Sequence, residues 1–362
     1  MKTKLYMKKI ILPLIFHLGL LFQPAFGQID SVNAKIVVKD TRNLNIRLFD
    51  NNDPFEISLR FDITTYKRKR PDTNYLDAIL TYHTTKTDSI NKKIKLKARG
   101  EIVRTTICDL PPMSLNFKLK DTIGGEFTGI DELKIMTYCN LGYEDYIVRE
   151  YLIYRLYNLL TDNSLKVRLL RINFINTAKE SKPIRQYGFA IEPVNLMANR
   201  TNTLEIKPVN LSQKNIKPEM LDRLAIFNLM IGNTDWAVSN QHNTLILSQP
   251  GSAQPELYVI VPFEFDYSGL VNADYAVPNE NLPIKTVRER LYMGMCRSEE
   301  VYKNEVKEFA EKKNEFYKLI NDFPYLNPRS KEDMINYLNG FFDMFDKHNS
   351  IVYDMLNQCK DL

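Results

Sequence analysis

Short segments that alternate apolar and polar residues recur through the first third of the chain and restrict its fold more than any other feature. They lie at residues 35–39, 45–49, 55–61, 76–82, 93–97 and 115–119. Alternation with a period of two puts apolar side chains on one face of a β-strand and polar ones on the other. Because a sheet with one wetted face is typically antiparallel, we predict antiparallel strands here, with turns at 50–54 and 69–72.

Helical spacing replaces this alternation further along the chain. Val148, Leu152, Leu156 and Leu159 recur at intervals of three and four residues, which predicts a helix over 144–160. Strands at 167–175 and 187–192, a connector at 195–208, and a helix at 218–231 follow. From residue 299 the pattern is helical, with a break near 324–328. A β-rich first part with one central helix, then a mainly helical part, predicts an α+β fold of the two-lobed, protein-kinase-like type.

The first 27 residues have the pattern of a secretory leader. Four lysines precede an apolar run at 10–22, and residues 25–27 read Ala-Phe-Gly, a cleavage pattern. Without this leader the count of Lys and Arg falls from 49 to 45 against 44 acidic residues, so the formal charge falls from +5 to about +1. The composition therefore gives no support for nucleic-acid binding. We predict an exported, periplasmic or extracellular protein that has no transmembrane segment once the leader is removed.

The predicted organisation has four parts: a leader at 1–27, an N-terminal β region at 28–90, a kinase-like N-lobe at 91–193 and a kinase-like C-lobe at 194–362. Four cysteines are present, and none has the CxxC spacing of a zinc site. Cys108 and Cys139 could pair, and buried free thiols remain an equal alternative.

The residues with the clearest chemistry lie between 231 and 270. Asp235 stands in a polar loop after the apolar helix, Asn243 begins the next apolar segment, and Asp266 follows a second one. Metal-assisted phosphoryl transfer needs one carboxylate to orient the attacking hydroxyl, and an amide and a second carboxylate to hold the metal. Glu264, two residues before Asp266, is a further metal candidate. The order of these residues thus predicts a phosphoryl-transfer site.

Simpler interpretations of the same residues stay open. Asp235 also fits a capping turn at the end of a helix, and Asp266 an ordinary turn at a strand end. His242 is expected to fix the loop rather than bind metal, because imidazole suits zinc better than magnesium. The group Arg288, Glu289, Arg290 and Tyr292 is expected to form ion pairs that brace the neighbouring strand.

Several motifs resemble the CotH family, the spore-coat-protein-H type of atypical secreted kinases, and particularly its exported Bacteroidetes-type members. The similar segments are residues 94–100, ending in Arg-Gly; 112–118; 133–136 with 146–152; 233–235; 242–243; and 262–266. This chain departs from the family pattern in three ways. In the family the metal-binding asparagine follows the aspartate by five residues, whereas here Asn243 follows Asp235 by eight and Asn240 stands at the offset of five. Glu264 stands where the family has an aspartate, and no glycine-rich phosphate loop is evident. Asn240 and Asn243 are therefore alternative metal ligands.

Further residues are predicted to form the nucleotide site. Lys118 is the candidate ligand of its phosphates, and Glu150 on the central helix is its predicted partner, as in the lysine–glutamate pair of protein kinases. Lys97 and Arg99 are alternatives for the same role. Glu192 ends a strand where a hinge would contact adenine through its backbone.

The resemblance implies transfer of the ATP γ-phosphoryl group to a hydroxyl, with Mg²⁺ or Mn²⁺ as the metal. The acceptor would be a secreted or cell-surface protein, with a carbohydrate or other small molecule as an alternative. A different class of function also remains open, namely a catalytically inactive scaffold or cell-surface binding module. Only the enzyme requires Asp235, Asn243 and Asp266 to form an intact site.

Overall fold

The computed structural model describes residues 47–85, 87–100, 108–118, 125–138, 140, 142–251, 256–346 and 350–361. The predicted leader at 1–27, the strand at 35–39 and Cys139 lie outside these residues. The predicted division of the chain into four parts stays a prediction.

Seven strands close into a barrel. They are β1 (Phe55–Phe61), β2 (Leu76–His83), β3 (Ser89–Ala98), β4 (Met113–Asn116), β5 (Glu132–Thr137), β6 (Val167–Asn176) and β7 (Ile184–Ile191). Their spatial order is β1-β2-β3-β4-β5-β7-β6. The pairings are antiparallel except that of β1 with β6, which run parallel and close the ring.

The barrel forms because the alternation of each strand supplies an apolar inner face. In β1, Ile57, Leu59 and Phe61 are buried, while the residues between them are exposed or half-buried. The same pattern in β2 buries Leu80 and Tyr82. Because side chains of a strand point alternately to its two faces, the buried set from all seven strands meets in one core inside the barrel.

The other elements pack outside the barrel. The helices are α1 (Ile63–Lys69), α2 (Glu144–Asn158), α3 (Val194–Arg200), α4 (Pro218–Ile231), α5 (Glu299–Asn321), α6 (Pro328–Asp346) and α7 (Ser350–Gln358). A second sheet contains β8 (Leu204–Ile206), β9 (Thr244–Ser248) and β10 (Val259–Pro262). The predicted helices at 144–160 and 218–231 are confirmed. The connector predicted at 195–208 is wrong, because α3 and β8 occupy it.

The predicted two-lobed, protein-kinase-like fold is wrong. The first part is a closed seven-stranded barrel, and the second part contains the sheet β8–β10 as well as helices. The error has a physical cause. Alternation within a strand shows which face is buried, but it carries no information about whether β1 will find β6, a partner more than a hundred residues away.

Helix α2 is the element that joins the barrel to the rest of the chain. It packs against β6 and β7 on one side and α5 on the other. Ten of its fifteen residues are buried, including the charged residues Arg149 and Glu150. A helix buried on nearly all sides is a rigid support, and two of its polar side chains reach the candidate site described below. Within the described ranges, no helix is both long and apolar enough to cross a membrane.

A disulfide joins Cys296, just before α5, to Cys359, just after α7, across 63 residues of sequence. Backbone hydrogen bonds from Cys296 to Lys360 and from Lys360 to Gly294 support the same contact. We expect the double variant Cys296→Ala/Cys359→Ala to lose about 2 to 4 kcal/mol of unfolding free energy, because the cross-link restricts the unfolded chain. Urea unfolding measures this loss. An unchanged midpoint would show that the hydrogen bonds hold this contact without the disulfide.

Candidate functional site

The loop after α4 places Asp235 by a chain of hydrogen bonds. Helix α4 ends at Gly232, whose φ of 66° lies in the left-handed region, and a side chain there would collide with the Tyr337 hydroxyl. Asn233 is buried, its Nδ2 donates to Asn228 Oδ1, and its Oδ1 accepts from the backbone N–H of Asp235 at 3.0 Å. The capping turn is therefore real, and it also fixes the start of the Asp235 loop.

Two neighbours hold the Asp235 carboxylate in one orientation. His242 Nε2–H donates to Oδ1 at 2.7 Å, and Asn243 Nδ2 donates to Oδ2 and to the Asp235 carbonyl, both at 2.9 Å. Asn243 is buried, whereas Asn240 is exposed and its Oδ1 caps the His242 backbone. The structure thus brings Asn243, and not Asn240, into direct contact with Asp235. His242 orients the loop aspartate, the role expected of it.

The acidic turn that follows β10 contains Glu264 and Asp266. Strand β10 ends at Pro262, so both residues lie beyond the strand, in the turn. Glu264 has a φ of 58°, a left-handed conformation that costs a non-glycine residue energy. Its carboxylate pairs with Arg99 at 2.6 Å, and Tyr275 Oη donates to Asp266 Oδ2 at 3.2 Å.

Side chains of helix α2 accept hydrogen bonds from the backbone of this strained turn. Glu264 N–H donates to Tyr154 Oη at 2.9 Å, and Phe265 N–H donates to Glu150 Oε1 at 3.2 Å. The Phe263 N–H donates to the Asn243 carbonyl at 3.0 Å, which ties the turn to the Asp235 loop. Glu150, predicted as the partner of Lys118, is thus placed against the acidic turn.

Four carboxyl groups crowd this small region. Burial, and next the charges of Glu264 and Asp235, raise the pKa of Asp266 to about 7. Burial, and next the charge of Asp266, raise the pKa of Glu150 well above its ordinary value. The charges of Glu264 and Asp235 both contribute to the raised pKa of Asp266, and the Phe263–Asn243 backbone hydrogen bond joins the two segments that carry these residues. Carboxyl groups whose pKa values are raised in this way would be favoured in their ionised form by a nearby cation.

The metal test is whether the present donors suit magnesium. In the described part of the chain, no three His, Cys, Asp or Glu side chains are arranged to hold a metal ion. Magnesium, however, usually takes one or two carboxylates and completes its shell with waters and substrate phosphates. Asp266 supplies a carboxylate, and Asn243, whose Nδ2 is bonded to Asp235, leaves its Oδ1 for a cation. The donors fit a metal–nucleotide complex and not an all-protein cage.

A cavity of about 300 Å³ lies beside the Arg99–Glu264 pair. Arg99, Lys134 and Phe263 line one part of it, and Leu165, Ile191, Ala198, Leu204 and Leu245 make its wall largely apolar. Burial, and next the neighbouring Arg99, lower the pKa of Lys134, whose ammonium lies 5.8 Å from the Phe263 ring centre. The cavity therefore combines a largely apolar wall with two cationic groups and with the carboxylates of Asp131, Glu132, Glu192 and Glu205, a mixture found in many small-molecule sites.

Some of the predicted nucleotide ligands line this cavity and others do not. Arg99 and Glu192 line the cavity. The Glu192 carboxylate, however, accepts from Arg200 at 2.8 and 2.9 Å and from the Lys166 backbone at 2.9 Å. Lys118 is exposed just after β4, and Lys97 lies 5.0 Å from the Tyr75 ring centre; neither lines the cavity. Sequence reasoning missed Lys134, although its place between buried Leu133 and Ile135 marked it as facing away from the barrel core.

A cluster of arginines braces the segment that follows Asp266. Arg149 donates to the Val271 carbonyl at 3.3 Å and pairs with Asp333 at 2.6 Å. Arg288 donates to the Gly269 carbonyl at 2.9 Å and pairs with the same Asp333 at 3.2 Å. The bracing role expected of Arg288 is confirmed, with Asp333 as the partner.

No protein-family model and no curated protein matches this sequence. The resemblance to the CotH family therefore rests on the motif residues alone and stays a prediction. What can be concluded about chemistry comes from the site itself.

Proposed function

We propose that this chain is an exported enzyme that transfers the γ-phosphoryl group of ATP to a hydroxyl acceptor, with Mg²⁺ or Mn²⁺. One observation carries the proposal. The Asp235 loop, fixed by His242 and Asn243, is joined by the Phe263–Asn243 backbone hydrogen bond to the turn that carries Asp266, and Phe263 and the Arg99 partner of Glu264 line the cavity that contains Lys134. The proposal rests on this site and is independent of the overall fold.

Each residue has a role that follows from its position. Asp235 has a fixed carboxylate that is about one-third exposed, so it can accept a hydrogen bond from an incoming hydroxyl and take up its proton. Asp266 and the Asn243 Oδ1 would hold the cation, while Glu264 pairs with Arg99. The cation, when bound, neutralises the negative charge of the phosphates. The two hydrogen bonds on Asp235 keep its carboxylate aimed while the acceptor binds.

The cavity suits the nucleotide. Its volume of about 300 Å³ is at the lower end of the usual range for small-molecule sites, about 300 to 1,000 Å³. The apolar wall would contact the base, and Lys134 and Arg99 would contact phosphates at the end nearer Glu264. The lowered pKa of Lys134 means that its charge is poorly solvated, so an anionic phosphate is a favourable partner for it.

Export is part of the proposal. Disulfides form and persist mainly in secreted and periplasmic proteins, and Cys296 is bonded to Cys359. The leader-like sequence at 1–27 supports the same compartment. The acceptor would then be a secreted or cell-surface protein.

Lys134→Met is expected to weaken ATP binding by about 10- to 100-fold in the presence of Mg²⁺, because a charge-assisted hydrogen bond to phosphate is lost. Lys118→Met is the matched control, since it removes the same group from an exposed position. Calorimetry with ATP and Mg²⁺, followed by a phosphate-transfer assay, measures both variants. A loss in Lys118→Met and none in Lys134→Met would return the phosphate role to Lys118.

A second candidate is a binding module that holds a nucleotide or another anion without catalysis. The Arg99–Glu264 ion pair favours it, because Arg99 occupies a carboxylate that was predicted to help hold the catalytic metal. The same experiment separates the two candidates. Tight ATP binding with no transfer to any hydroxyl, and no ATP hydrolysis, supports the module.

A further inference from the structure

A second concave surface lies at the end of the barrel where β1 and β6 both terminate. It has a volume of about 510 Å³ and is formed by α1 and the connection between β6 and β7. Four basic side chains line it, from Lys67, Arg68, Lys179 and Lys182, together with hydroxyl groups of Thr64 and Ser181. No carboxylate is among its lining residues, and it shares none of them with the cavity beside Arg99. We call it the basic groove.

The barrel register explains why these residues meet. Strands β1 and β6 pair in parallel with Phe61 opposite Asn176, so α1 and the β6–β7 connection leave the barrel at the same end. Asn176 then joins them. Its Oδ1 accepts from the backbone N–H groups of Ile63 and Ala178, both at 3.1 Å, and its Nδ2 donates to Thr64 Oγ1 at 3.1 Å. The groove is therefore held by hydrogen bonds to backbone on both of its sides.

The charge of the groove is only partly balanced by the protein. Lys67 pairs with Asp109, and hydrogen bonds from Thr65, with a smaller contribution from the charge of Arg68, lower the pKa of Asp62. Lys179 and Lys182 are exposed, and over the described ranges neither forms an ion pair. The chain without its leader has a formal charge of about +1. Four basic side chains around one groove therefore give this surface a far more positive local charge than the chain has as a whole. A concave surface with one sign of charge attracts counter-ions strongly.

We propose that the basic groove binds a ligand that carries two or more phosphate groups, either a soluble oligophosphate or the phosphorylated headgroup of a lipid. A single phosphate could engage only some of the four basic side chains that line the groove. Lysine ammonium groups and the arginine guanidinium both bind phosphate oxygens through charge-assisted hydrogen bonds, and the Thr64 and Ser181 hydroxyls add neutral donors. This ligand site does not depend on the proposed enzyme activity.

The test uses inorganic tripolyphosphate as the soluble probe, in the presence of EDTA so that no metal-dependent binding contributes. We expect Lys179→Glu/Lys182→Glu to weaken its binding at least about tenfold, because two charge-assisted contacts become repulsive. The control is Lys303→Glu/Lys307→Glu, which changes the net charge equally on the exposed side of α5. It should bind as the unmodified protein does. Binding should also weaken as salt rises.

Flotation with vesicles that contain cardiolipin, whose headgroup carries two phosphates, distinguishes the two sources of phosphate. Recovery of the unmodified protein with these vesicles, and its loss in Lys179→Glu/Lys182→Glu, identifies a lipid headgroup. Binding of tripolyphosphate without vesicle recovery identifies a soluble ligand. The proposal is overturned if the unmodified protein binds neither probe, or if the groove variant binds as tightly as the control variant.

Discussion

Asp266→Asn is expected to lower the rate of metal-dependent phosphoryl transfer by at least about 100-fold, since a single group that stabilises developing charge is typically worth that much. The amide has nearly the same shape as the carboxylate and can keep the contact with the Tyr275 hydroxyl. It lacks the charge that would hold the cation. Transfer of labelled phosphate from ATP at saturating Mg²⁺ measures the effect. Asp343→Asn, an exposed aspartate on α6, is the control and should leave the rate unchanged.

The same variant has a second expected effect, on stability. The pKa of Asp266 is raised from 3.8 to about 7, so the folded protein favours the protonated form. For a raised pKa, the contribution to stability is complete below about pH 4 and is lost as the pH rises through 7. In EDTA, the unmodified protein should therefore lose stability between pH 5 and pH 8, and Asp266→Asn should lose less. Urea unfolding at both pH values tests this. Equal losses in the two proteins would mean that Asp266 is not desolvated and would remove the argument for a cation there.

Arg149→Met is expected to lower the free energy of unfolding by about 3 to 5 kcal/mol, the usual cost of breaking a buried ion pair by removing one partner. The Arg149 side chain is only 10% exposed, and it contacts Asp333, Ser330 and the Val271 carbonyl. Methionine retains much of the apolar volume, so the loss reports the polar contacts. Urea unfolding gives the value directly.

Arg288→Met is the matched control for Arg149→Met. Arg288 binds the same Asp333, but its side chain is 31% exposed, so water can replace part of its contacts. We expect a loss of about 1 kcal/mol, as for ion pairs near the surface. Equal losses in both variants would show that Asp333, and not the burial of Arg149, sets the strength of the brace. If neither variant is destabilised, the segment after Asp266 is held by other contacts.

Sequence reasoning identified much of the candidate site, because its signals are local. Asp235 follows an apolar helix that ends at a glycine, and Asp266 follows an apolar strand, so both were recognisable as polar positions at the ends of buried elements. The same reasoning could not find Lys134. Its cavity is assembled from β5, α3, β8 and β9, which are far apart in the chain and adjacent only after folding. Lys118 resembled the motif better, yet it stands exposed after β4.

The acidic turn likewise has a feature that local sequence does not reveal. Nothing local to residues 264–266 indicates that Glu264 adopts a left-handed conformation. That conformation persists because Tyr154 and Glu150, more than a hundred residues earlier, accept the backbone N–H groups of the turn. A strain of this kind costs about 1 to 3 kcal/mol and is maintained only when surrounding structure holds it.

Local periodicity by itself determined β1 at residues 55–61, helix α2, helix α4 and the two loops that carry Asp235 and Asp266, because the period of a helix or strand depends only on neighbours in sequence. The tertiary structure alone decided that β1 pairs with β6 to close a barrel, in place of the expected two-lobed fold. It also decided that Lys134 enters the cavity, that α2 supports the acidic turn, and that Asn176 assembles the basic groove. Each of these depends on contacts between residues distant in the chain, whose free energy is set by packing and register, and local pattern does not encode them.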